Sequence, residues 1–363
     1  MNARRAFPCL AMLALLAGWM AIPVAPASAG TAMAAPAAAS ATEIVFPPPP
    51  DEPRIRYLFS LSSVHDLKPP KRGFFRKVRD FLLGRGEEAV PTLLRPYGVA
   101  ASGNRVYAAD ADGQSVFVFD LKALEVTRLG GTLEGRLVSP IGVAVTPGGT
   151  VFVADSMQHV VKAFGPDGKF LRQLNKIGDL KRPSGVAWDA RRKRVLVADT
   201  GNGRVAIFSP EGGMTGQIGK PGTGDGEMSM PANVAVDRDG RIYVSDPIMC
   251  RAQVFTADGK YMTQFGSQGD VPGYMGRPRG IGVDSDGNIY VADAVFHAVQ
   301  IFDRSGRLLL FFGAGGNVPG AFDLPAGVCV DDRDRVFVAD SLNRRIQVFQ
   351  YLKPKTTHEA PRP

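Results

Sequence analysis

Six aspartates recur at one position along this chain: Asp110, Asp155, Asp199, Asp246, Asp293 and Asp340. A ring of carboxylates could hold cations, since hard divalent ions take oxygen ligands. Each aspartate, however, closes an apolar strand pattern just before a tight loop. That placement favours a carboxylate that caps loop N–H groups and orients a nearby arginine such as Arg204, Arg251 or Arg345. The six are therefore read as structural. The four histidines, His65, His159, His297 and His358, fall in an insert, two loops and the tail. His159 and His297 share a repeat position but lie in the second and fifth of six units, so no shared metal is expected. No nucleophile–base set stands out, and no catalytic residue, metal or cofactor is assigned. Cys250 and Cys329 lie in units four and six, which are not adjacent, so no disulfide is expected, and no CxxC occurs.

The elements that carry these residues repeat. The same frame starts at Pro96, Pro140, Pro183, Pro231, Pro278 and Pro325, at spacings of 44, 43, 48, 47 and 47 residues. Each copy reads Pro-x-Gly/Asn-Val/Ile, a polar turn, an apolar strand ending in Asp, a short loop and a strand ending in Phe. The clearest copy, residues 278–313, holds four strand patterns of about five residues each, with Ser285-Asp286-Gly287 as a tight-turn signal. A four-stranded sheet this small cannot bury both faces alone and needs neighbours like itself. Six such units predict an all-β fold, a six-bladed β-propeller.

The chain's ends decide against an open solenoid. The sixth unit stops at Val348-Phe349-Gln350-Tyr351-Leu352 and lacks a fourth strand, while residues 54–60, Arg54-Ile55-Arg56-Tyr57-Leu58-Phe59-Ser60, form a strand pattern outside any repeat. An N-terminal strand that completes the last blade closes the ring and removes an exposed edge. The propeller is thus expected over 54–352: a closing strand at 54–60, an insert at 61–95 and six repeats over 96–352.

Outside the propeller, composition predicts other roles. Residues 1–29 carry Arg4-Arg5, an apolar run from Leu10 to Ile22 and Ala27-Ser28-Ala29, which read as a signal peptide. Retained, the same segment would tether the chain to a membrane. Residues 30–53 are Ala/Pro-rich and are read as a linker; residues 353–363 are read as a polar, disordered tail. Without Arg4 and Arg5 the net charge falls from +8 to +6. An exported basic surface meets acidic lipid, polysaccharide or protein rather than nucleic acid. A monomer is expected.

The loops after the blade aspartates vary most. Blade 3 has Thr200-Gly201-Asn202, whereas blade 4 has Pro247-Ile248-Met249-Cys250 and blade 5 has Ala294-Val295-Phe296-His297, with Met157 in blade 2 and Leu342 in blade 6. These loops share a face with the connections between blades, and the insert must lie there too. Within it, Phe74, Phe75, Val78, Phe81 and Leu82 fall at helical spacing beside Arg76, Lys77 and Arg79, which predicts a short amphipathic helix ended by Gly84. The helix either docks on the apolar loops or, through 73–83, meets a partner or an anionic membrane surface.

The units PRGIGVDSDGNIYVADAVFHAVQIFDRSG and PSGVAWDARRKRVLVADTGNGRVAIFSPEG resemble NHL repeats, and the match extends over the repeat region. The resemblance implies a propeller of the NHL or TolB-like type. It implies no single activity, because such propellers serve binding and catalysis alike. The leader PPPPDEPRIRYLFSLSS also resembles that of exported bacterial NHL-repeat proteins of unassigned activity. NHL-type lyases hold a central metal by histidines next to the blade-opening Pro; here those positions are Tyr97, Ile141, Ser184, Ala232, Arg279 and Ala326, none of them an imidazole or carboxylate. The functional expectation is an exported, non-catalytic scaffold that binds a protein partner in the periplasm or cell envelope. Its expected surface is Met157, Ile248, Met249, Val295, Phe296 and Leu342, with Tyr97 and Arg279 nearer the channel mouth. The alternative is a lyase or hydrolase that uses the central channel.

Overall fold

The computed structural model describes residues 43–68 and 90–354. The expected signal peptide, most of the linker, the helix at 73–84 and most of the tail lie outside these residues. Six antiparallel sheets follow one another in chain order: blade 1 over 96–129, blade 2 over 140–173, blade 3 over 183–218, blade 4 over 233–265, blade 5 over 278–312 and blade 6 over 325–351.

Burial follows strand position. Second and third strands such as Ile289–Asp293 and Ala298–Phe302 are buried along their whole length, because neighbouring blades cover both faces. They therefore read as continuous apolar runs. Fourth strands sit at the outer rim and alternate, as in Leu308–Phe312.

Six hydrophobic clusters are found among the described residues, one at each junction between successive blades. One of them joins blade 6 to blade 1 through Phe337, Ile346 and Val348 against Val99, Val106, Phe117 and Phe119. That junction closes the ring. Its closure rests on the strand Ile55–Leu61, which pairs antiparallel with Arg345–Tyr351 in a register that sets Tyr57 opposite Phe349 and Leu61 opposite Ile346. A further strand, Val45–Phe46, pairs with Ile55–Leu61 at the edge of blade 6. It lies within the stretch read from sequence as linker, and Phe46 packs its ring 5.7 Å from that of Phe312.

The glycines after the blade-opening prolines have a steric reason. A Cβ added at Gly327 would stand 2.5 Å from the carbonyl oxygen of Tyr97 in blade 1. First strands thus pack backbone on backbone around the channel.

Candidate functional site

Each loop that follows a blade aspartate has four residues, and the fourth is left-handed in every blade: Gln114, His159, Gly203, Cys250, His297 and Arg344 have φ between 49° and 58°. One backbone shape is thus used six times, and the side chains differ upon it.

The aspartate beneath each loop is fully buried and accepts backbone N–H bonds. Asp293 takes those of Gly276, Arg277, Val295 and Phe296. Asp110 takes those of Leu94, Arg95 and Gly113, and Asp155 those of Val138, Ser139 and Gln158. Each carboxylate ties its own loop or the incoming connection, and one that accepts several N–H bonds needs no cation. In blades 3 and 6 side chains complete the network. Asn202 and Arg204 donate to Asp199 at 2.8 and 2.9 Å, and Asn343 and Arg345 donate to Asp340 at 2.9 and 2.8 Å.

Arg251 departs from the expectation. Its guanidinium donates to Gln264 and to the carbonyls of Gly224 and Glu227 rather than to Asp246. The connection into blade 4 brings those carbonyls to it.

The two repeat-equivalent histidines are used alike. His159 Nδ1 accepts from the backbone N–H of Arg182 at 2.8 Å, and His297 Nδ1 from that of Leu324 at 3.4 Å. Arg182 and Leu324 are themselves left-handed and lead into the next blade, so each imidazole ties one blade to the next. Among the described residues no three His, Cys, Asp or Glu side chains converge as a metal site would require. Cys250 and Cys329 are both free, and burial pushes both thiols up from their ordinary range.

The second loop residue points outward. Met157 is 69% exposed, Ile248 60%, Val295 55% and Leu342 49%, while Met249 and Phe296 are half-buried. Blades 4, 5 and 6 thus present an apolar arc, and Met157 stands apart because blades 1 and 3 carry Asp112 and Gly201 at that place.

Inside the arc, Arg279 of blade 5 lies 5.4 Å from the ring centroid of Tyr97 in blade 1. Blades 5 and 1 are not neighbours, so this cation–π contact spans the channel mouth. Burial holds the Arg279 guanidinium below its ordinary value, and the charges of Arg277 and Arg95 act in the same direction.

The opposite face bears a feature that composition and spacing did not reveal. A groove of about 910 Å³ lies between blades 2 and 3, with Trp188 stacked on Phe152 at 6.0 Å. Its arginines are committed internally: Arg172 to the Pro210 carbonyl, Arg192 to Asp258 and Arg194 to Asp189. A lone Trp at a strand end gave no periodic signal.

The NHL repeat family matches residues 180–208 and 322–349, and the beta-propeller repeat family matches residues 260–292. The chain is 42% identical over 62 residues to the protein brain tumor of Drosophila melanogaster; the match covers 17% of this chain and 6% of that protein's length. Among solved structures it resembles a protein of unknown function from Bacteroides thetaiotaomicron, with TM-score 0.58 and 22% identity over 73% of this chain and 71% of that one. It also resembles an auxiliary nutrient binding protein from the same organism, with TM-score 0.57 and 15% identity over 71% of this chain and 69% of the other. At these identities the likeness is one of fold. Repeat matches in blades 3 and 6, six sheets and a closed ring agree: the chain is a six-bladed β-propeller that carries NHL repeats.

Proposed function

We propose that this chain is an exported, non-catalytic scaffold that binds a protein partner in the cell envelope through the face bearing the blade loops. The carrying observation is the apolar arc of Ile248, Val295 and Leu342, exposed on three consecutive blades, each with a fully buried aspartate beneath its loop that anchors the incoming connection through backbone N–H groups. Apolar side chains held outward on a rigid frame suit a preformed docking surface, because little ordering entropy is lost on binding. The reading of residues 1–29 as a signal peptide supports a site of action outside the cytoplasm. A neighbour of the same fold is described as nutrient-binding, which is consistent with a binding role for such a frame.

The experiment is site-specific photo-crosslinking in intact cells. A crosslinker at Val295 or Ile248 captures a discrete partner, and one at Arg304, in a turn of the opposite face, does not. Equal capture from both faces would refute the assignment.

A further inference from the structure

We propose that the mouth of the central channel on the loop face binds an oxyanion, a carboxylate or phosphate group of the ligand. Arg279 is its principal partner, with Arg277 and Arg95 at its flanks. The residue after the blade-opening proline is Tyr97, Ile141, Ser184, Ala232, Arg279 or Ala326 in successive blades, one cation and no carboxylate. The Arg279 guanidinium makes no hydrogen bond or ion pair with a side chain or carbonyl among the described residues, and its contact is the Tyr97 ring. Burial disfavours its charge, the Tyr97 side chain favours it, and the two cationic groups that act on it, Arg277 and Arg95, both disfavour it. Arg277 is exposed; its backbone donates to Asp293 and accepts from Ala294, and among the described residues its guanidinium makes no hydrogen bond or ion pair. Arg95 has a long 3.9 Å contact with Asp112, both of them half exposed.

Convergent like charges, one of them partly desolvated, are costly without a counter-charge. A guanidinium offers two parallel N–H donors that match a carboxylate or phosphate edge. The face of Tyr97 holds the planar group in place while leaving its donor edge free. An oxyanion at the mouth therefore supplies both the missing acceptors and the missing charge.

The inference rests on the reading of the loop face as the binding face, and it is tested on the isolated chain. Inorganic phosphate and malonate are titrated calorimetrically at fixed ionic strength, with chloride as the balancing ion. Saturable binding of one equivalent is expected. Phosphate alone points to a phosphate-bearing ligand, malonate alone to a carboxylate, and both to the shared chemistry. Arg279→Gln should weaken binding about tenfold or more, the loss of one charge-assisted bidentate pair. Arg277→Gln, at an exposed position, should weaken it about threefold with the fold unchanged, and it remains decisive if the Arg279 variant does not fold. Absence of saturation with either anion overturns the site, as does undiminished binding in Arg277→Gln. If anion binding fails while crosslinking from Val295 persists, the anion site falls and the docking face stands.

Discussion

Blades 5 and 6 stand side by side with one backbone and opposite loop chemistry. In blade 6 the third loop residue is Asn343 and the first strand residue beyond is Arg345, and both donate to Asp340. In blade 5 the same places are Phe296 and Ala298, and Asp293 holds the loop by backbone N–H bonds alone. The loop closes equally well in both. The aspartate is therefore the structural requirement and the polar side chains above it are optional, which frees blades 4 and 5 to carry apolar residues. Blades 3 and 6, where the polar network is complete, are also the ones matched by the NHL repeat family.

Removing the aspartates should separate the two arrangements. Asp340→Ala leaves the Arg345 guanidinium, whose side chain is 13% exposed, with the Val318 and Ala321 carbonyls but no counter-charge, and should cost about 3–5 kcal/mol, the usual penalty for breaking a buried pair from one side. Asp293→Ala leaves four N–H groups without their acceptor but no buried charge, and should cost about 2 kcal/mol. Denaturant titration of both variants measures the difference; equal losses would mean that the arginine adds nothing to blade 6.

The third strands offer the same comparison at a deeper level. Gln300 and Gln347 each accept one backbone N–H and donate to one carbonyl of the incoming connection. Blade 2 has Lys162 there, buried, with its ammonium donating to the Arg136 carbonyl at 2.5 Å. Burial lowers the pKa of Lys162 from its ordinary 10.5. A lysine whose folded value is depressed binds fewer protons folded than unfolded, so stability rises as pH climbs from that folded value toward 10.5. Lys162→Gln should stabilise the chain by about 1 kcal/mol at neutral pH by adding a second hydrogen bond and removing a buried charge. It should also flatten the alkaline rise, read from denaturation midpoints across that range.

Smaller effects test the loops themselves. The double change of Met249 and Phe296 to Ser should alter stability by under about 1 kcal/mol, since both residues are only half-buried, yet reduce crosslinking from Val295. Global unfolding of this variant would instead make these residues part of the frame. Least affected should be a thiol. Burial pushes the Cys250 thiol up and leaves it 8% exposed, so it should not react with Ellman's reagent in the folded chain at neutral pH and should react once denaturant is added.

Much of the frame was legible because a blade is a local object. Proline, aspartate and phenylalanine recur at blade spacing, and the unpaired strand at residues 54–60 matched the strand missing from blade 6. Val45–Phe46 was not legible, since two residues give no period. The contacts of Arg251 were not legible either, because the carbonyls it meets belong to the connection between blades.

Sequence by itself determined the repeat, the closure of the ring and the place of each apolar loop residue, because those follow from short-range pattern and from the need to pair an open edge. Tertiary structure alone decided that Arg279 meets Tyr97 across the channel, that His159 and His297 tie successive blades and that the apolar loops form an arc on blades 4 to 6 with Met157 apart. Each of these joins residues from different blades. Only the closed ring brings those blades together, and no local pattern records the distance between them.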